Sequence, residues 1–231
     1  IVIDTTAPTA PSVSGTTPTN STTPTWSWSP GGGGNGTYRY KLDNSDLTSG
    51  ATQTTSTSYT PGSGISEASH TLYVQERDAA GNWSSSGSRA IVIDSTAPTV
   101  TFSMPGCLVW NSSSNTCTTA TTFSPLHGAA GAGRRSDITI TFSEAVYNLD
   151  GTDLTNDNVT SFITLKEGDN TTTINKVATI NVGTTIITID PTPRLNSEED
   201  VYVTIGANVK DFVGNAITAS SATFTTCKSC D

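Results

Sequence analysis

The residues best equipped for chemistry come as two matching pentapeptides, Asp78-Ala-Ala-Gly81-Asn82 and Asp211-Phe-Val-Gly214-Asn215. Each supplies a carboxylate and a carboxamide, hard oxygen donors of the kind Ca²⁺ prefers. The same residue types also build turns by themselves, because Asp and Asn side chains accept nearby backbone N–H groups and Gly tolerates positive φ. Both readings stay open, and recurrence favours neither. Two further aspartates, Asp4 and Asp94, end identical Ile-Val-Ile-Asp runs.

The other reactive residues are sparse. The cysteines are Cys107, Cys117, Cys227 and Cys230. An even count beside Ser/Thr-rich, Lys-poor segments points to an oxidising compartment and disulfides, with three pairings open. Cys227-Lys-Ser-Cys230 has no βαβ surroundings for a redox motif, and the set lacks the paired short spacing of a zinc site. His70 and His127 have no Ser, His and acid constellation around them, so nucleophilic and zinc chemistry lack parts and the chain does not read as an enzyme. Both histidines read as surface or turn residues, and Arg134-Arg135 as a solvated loop. Trp26 and Trp28 share one strand face. An aromatic pair there is either a sugar-stacking platform or, the preferred reading, includes the core tryptophan of a sandwich.

The elements that position these groups are strands. Runs at Thr25 to Ser29, Thr37 to Leu42, Ser56 to Thr60 and His70 to Arg77 are separated by turn clusters such as Gly31 to Gly36. Later runs are Thr99 to Ser103, then Ile138, Ile140 and Phe142 alternating with Thr139, Thr141 and Ser143. After them come Phe162 to Leu165, Val177 to Val182, Thr185 to Ile189, Val201 to Ile205 and Ala222 to Thr226. No helix is expected. The stretch 104–136, holding Cys107 and Cys117, reads as a long irregular insertion that is functional or stapled.

Repetition sets the organisation. "IVIDTTAPT" opens the chain and "IVIDSTAPT" returns near residue 91, a fixed offset that marks tandem modules. The same grammar appears inside: Leu72-Tyr73-Val74 leads into the first pentapeptide and Val201-Tyr202-Val203 into the second. We therefore expect two tandem modules after an opening strand at residues 1–4, 5–95 a first sandwich and 96–231 a second, making an all-β chain. Thr, Ser, Gly and Asn dominate a composition with 13% charged and 33% hydrophobic residues, which suits short strands and turns. The net charge of −9 lacks the basic face that nucleic acid requires, and no apolar run approaches a membrane span.

These junctions and turns resemble the bacterial immunoglobulin-like repeats of large surface adhesins, which implies two tandem immunoglobulin-like β-sandwich domains and makes residues 1–4 the terminal strand of a preceding module. The second module, with Ile138-Thr-Ile-Thr-Phe-Ser-Glu-Ala-Val146, is similar to the Ig-like modules of S-layer and other cell-surface proteins. The cysteine-bearing insertion matches neither. The resemblance implies that tandem copies stack end to end, with each Asp-x-x-Gly-Asn turn facing the connector that leads into its own module. It thereby groups Asp4 with Asp78 and Asn82, and Asp94 with Asp211 and Asn215, as sets that bind Ca²⁺ and stiffen a rod. Two carboxylates brought to about 4 Å repel by roughly 1–4 kcal/mol, which a cation offsets. The same geometry brings the insertion and the chain's last strand to one pole, where Cys107–Cys117 with Cys227–Cys230 is the preferred pairing.

The expected function is a non-catalytic extracellular or cell-surface spacer whose partners are neighbouring modules. The alternatives are a module that adheres to a glycan or host surface protein, a filament subunit that self-associates through its N-terminal strand, and an accessory module of a secreted polysaccharide-degrading enzyme.

Overall fold

Short alternating runs can satisfy their backbone groups only by pairing laterally, and every sheet here is assembled from them. The computed structural model describes residues 3–111, 116–123, 129–132, 137–168, 170–192, 195–196 and 198–226, with backbone alone over 105–132. The chain divides into two units, Ile1–Thr96 and Ala97–Asp231.

The first unit contains β1 (Ser12–Ser14), β2 (Trp26–Ser29), β3 (Thr37–Leu42), β4 (Thr52–Thr54), β5 (Ser58–Tyr59), β6 (Ser69–Arg77) and β7 (Gly87–Val92). They form two sheets, β1-β2-β5 and β4-β3-β6-β7. Period-two alternation aims Trp26 and Trp28 inward from β2, and Leu72 and Val74 inward from β6, against Tyr38, Ile91 and Ile93. Both tryptophans are buried, so the pair serves the core and offers no sugar platform. Trp26 Nε1 donates to the Arg89 carbonyl at 3.0 Å, which satisfies the one polar atom its burial would otherwise strand. Thr19 forms a parallel bridge with Ile93, so the chain after β1 crosses to lie beside the last strand.

The second unit contains β8 (Val100–Asn111), β9 (Thr116–Phe123), β10 (Ala129–Ala132), β11 (Ile138–Phe142), β12 (Tyr147–Asn148), β13 (Ile163–Glu167), β14 (Lys176–Ile180), β15 (Ile186–Pro191), β16 (Asp200–Ile205), β17 (Val209–Lys210) and β18 (Ser220–Thr226). The main ladder runs β13-β16-β18-β10-β8-β11-β15-β14, with β9 paired to β8 and with β12 and β17 forming a separate pair. Ile138, Ile140 and Phe142 from β11, Ile187 and Ile189 from β15, Val201, Val203 and Ile205 from β16, and Phe224 from β18 enclose one core. The two arms of the ladder are thus the faces of a sandwich.

Two expectations need correction. The insertion is not irregular: β8 pairs with β11 through Ser103, continues into a hairpin with β9, and the chain returns as β10, parallel to β18. It is an expansion of the same crossing that the first unit makes in a few residues. A helical turn does occur, Asn156–Val159, followed by a 3-10 turn over Thr160–Phe162; Asn158 Oδ1 accepts the Thr155 N–H at 2.9 Å and starts it. At the N-terminus, Ile3 and Asp4 carry no strand, and Ile3 is 80% exposed. Ile1 and Val2 lie outside the described residues.

Candidate functional site

In the first unit β6 ends at Arg77 and the next five residues close a tight turn. Asp78 Oδ1 accepts the Gly81 N–H at 2.7 Å and the Asn82 N–H at 2.8 Å. Asp78 Oδ2 accepts the Asn82 amide at 2.8 Å, and the Asp78 N–H closes the turn on the Asn82 carbonyl at 3.1 Å. Gly81 sits at φ +102°, which an L side chain rarely adopts. The Asn82 amide does most to hold the Asp78 carboxyl below the usual carboxylate range; desolvation opposes it, and the N–H groups of Asn82, Gly81 and Ala80 add to the lowering.

The second unit repeats this bond for bond. Asp211 Oδ1 accepts Gly214 N–H at 2.7 Å and Asn215 N–H at 2.8 Å, and Oδ2 accepts the Asn215 amide at 2.7 Å. Gly214 has φ +108° and Asp211 is only 1% exposed. The turn chemistry of both pentapeptides is therefore realised in full.

The connector aspartates behave alike too. Asp4 Oδ1 accepts Thr6 N–H at 2.9 Å, and Asp94 Oδ1 accepts Thr96 N–H at 3.3 Å. Asp4 is brought to the first turn through its carbonyl, which accepts a second bond from the Asn82 amide at 3.1 Å. One NH₂ group thus holds Asp78 Oδ2 and the Asp4 carbonyl on a common point. Rotating that amide by half a turn would place Asn82 Oδ1 there instead, giving three oxygens around the position of a cation. Ca²⁺ takes about 6–8 oxygens, so these donors fit as part of a coordination sphere. Asp94 closes the first unit, its N–H donating to the Thr19 carbonyl at 3.0 Å. In the second unit a residue that sequence reasoning passed over joins the turn: a Glu144 oxygen lies within 4.8 Å of an Asp211 oxygen. Its signal was present, since Glu144 belongs to the Ser-Glu-Ala stretch after the alternating strand β11.

His70 is no free surface residue. Its Nδ1 meets Asp43 Oδ2 at 2.6 Å, and Nε2 faces both the Ser66 carbonyl at 3.0 Å and the Ser66 hydroxyl at 3.3 Å. Ser, His and Asp do meet here, contrary to the sequence reading, yet not as a nucleophile and its base. The Ser66 carbonyl, an acceptor, lies closer to Nε2 than the Ser66 hydroxyl does, so Nε2 is directed at the carbonyl rather than at the hydroxyl as its base. The Asp43 bond is the main cause that raises the His70 pKa above its ordinary value, with burial opposing.

The register of the β8–β9 hairpin sets Cys107 opposite Ala120 and Cys117 opposite Trp110. Cys227, Cys230, His127 and Arg134-Arg135 lie outside the described residues.

Two facing sheets and a repeated Asp–Asn turn define an immunoglobulin-like structural module. Residues 94–226, more than half of the chain, match the bacterial Ig-like domain family, and the chain belongs to that family. The match covers the second unit. The family is non-catalytic, and its domains occur in bacterial surface proteins. No curated protein matches the chain. Among solved structures, a chitinase, ChiA74 from Bacillus thuringiensis, aligns with 99% of this chain at 16% identity and a TM-score of 0.32. The chain spans 28% of that protein's length. No helix among the described residues is long and apolar enough to cross a membrane.

Proposed function

We propose that this chain is a spacer segment of a bacterial cell-surface protein, without catalysis, whose connectors take up Ca²⁺ and stiffen when they do. The first set is Asp4, Asp78 and Asn82. The second is Asp211 and Asn215 of the second unit, to which Glu144 is added. The observation that carries the reading is the Glu144–Asp211 approach within 4.8 Å at a carboxylate that is 1% exposed. Two carboxylates at such a distance repel by roughly 1–4 kcal/mol, a cost that a divalent cation removes. Family membership supports the surface role, and the matching turns support a like role for both sets. Extracellular Ca²⁺ is abundant, and modules of extracellular type bind it with Kd of about 0.1–1 mM.

The test is calorimetry of the full chain in chelator and in Ca²⁺. At a Kd of about 0.1 mM, about 1 mM free ion stabilises by roughly 1.4 kcal/mol per site. For units of this size the melting temperature then rises by about 5 °C. Identical melts in chelator and in 10 mM Ca²⁺ would reject the cation reading and leave the structural role standing.

A further inference from the structure

Glu67, exposed in the turn before β6, makes contacts that exposed loop glutamates rarely sustain. Its Oε1 accepts three bonds from the connector: Ser95 N–H at 2.7 Å, the Ser95 hydroxyl at 2.6 Å and the Thr96 hydroxyl at 2.7 Å. A long flexible side chain loses rotamer freedom when it is held, so a loop glutamate is normally left to water. Three donors converging on one anionic oxygen oppose that loss, because bonds to an ionised acceptor are the strong class. The segment just before is tied to the same unit by backbone: Ile93 N–H donates to the Ala68 carbonyl at 2.9 Å and Asp94 N–H to the Thr19 carbonyl at 3.0 Å. Ala68 follows Glu67 in sequence, so one short turn grips the connector by main chain and by side chain.

We propose that Glu67 is a positioning residue that fixes the course of Ser95 and Thr96 as they leave the first unit, so that the connector is ordered by protein contacts before any cation arrives. The arrangement accounts for a detail of the repeated nonapeptide. Its one difference, Thr5 against Ser95, exchanges one hydroxyl for another, and a hydroxyl is what the acceptor requires. Valine, of similar shape to threonine, would keep the strand propensity and lose the bond. The inference does not depend on metal binding, and its test excludes metal.

The experiment is amide hydrogen exchange on the full chain in chelator, read at Ser95, with Ile93 and Val74 as references. Glu67→Ala is expected to speed exchange at Ser95 by about tenfold or more, the size expected for losing a bond to a charged acceptor, with Val74 unchanged. Glu67→Gln keeps a carbonyl oxygen at the same reach and restores part of the protection. Wild-type exchange at Ser95 in Glu67→Ala overturns the proposal. So does equal exchange in the Ala and Gln variants. Acceleration at Val74 as large as at Ser95 also overturns it, since Glu67 would then be supporting the whole unit.

Discussion

Replacing Asp211 by alanine isolates the turn from any cation when the measurement is made in chelator. The side chain accepts two backbone N–H bonds on Oδ1 and the Asn215 amide on Oδ2, all between 2.7 and 2.8 Å, at a site 1% exposed. A hydrogen bond to a charged group contributes about 1.5–3 kcal/mol, and a buried donor left without a partner adds to the loss. Water entering the vacated space returns part of it, so the expected cost is about 3 kcal/mol. For a unit of this size that lowers its melting temperature by about 10 °C. Calorimetry on the full chain is the assay, because the transition of the first unit should stay in place and serve as the internal reference. Asp211→Asn sharpens the test. It keeps an oxygen for the two N–H donors but sets its own NH₂ against that of Asn215, so it should lose about 1–2 kcal/mol. A cost below about 1 kcal/mol for the alanine variant would show that the turn is held by its backbone conformation and that the carboxylate is incidental. Equal costs for the two variants would refute the assignment of separate roles to Oδ1 and Oδ2.

Other outcomes follow from the same contacts. His70 has a raised pKa in the folded state, so its bond to Asp43 contributes fully below the ordinary value near 6.5 and is lost as pH rises through the folded value. His70→Gln should therefore lower the melting temperature of the first unit more at pH 5.5 than at pH 9, and an equal or reversed difference would disprove the contribution of the His70–Asp43 bond. Gly87→Ala places a Cβ 1.8 Å from the Pro11 carbonyl oxygen, a backbone atom that cannot turn aside. We expect a loss of about 1–3 kcal/mol in the first unit, read by denaturant melts; an unchanged midpoint would mean that the two segments separate freely there.

Much of the scaffold was legible because its signals are local. Alternation along β2, β6 and β11 sets which side chains face inward, since successive residues of a strand point to opposite faces. The Asp-x-x-Gly-Asn turns were equally legible: an aspartate within four residues of the N–H groups it accepts needs no partner from elsewhere. What the sequence could not display were contacts between residues close in space and far apart along the chain. The parallel return of β10 beside β18 turned an apparent loop into a sheet. His70 found Asp43 and Ser95 found Glu67 across 27 and 28 residues, through turns whose directions are set only when the two sheets close. Glu144 reached Asp211 for the same reason. Periodicity and turn chemistry act over a few residues, so they are written in order along the chain; which loops meet depends on register and on the packing of one sheet against the other, which only the assembled sandwich decides.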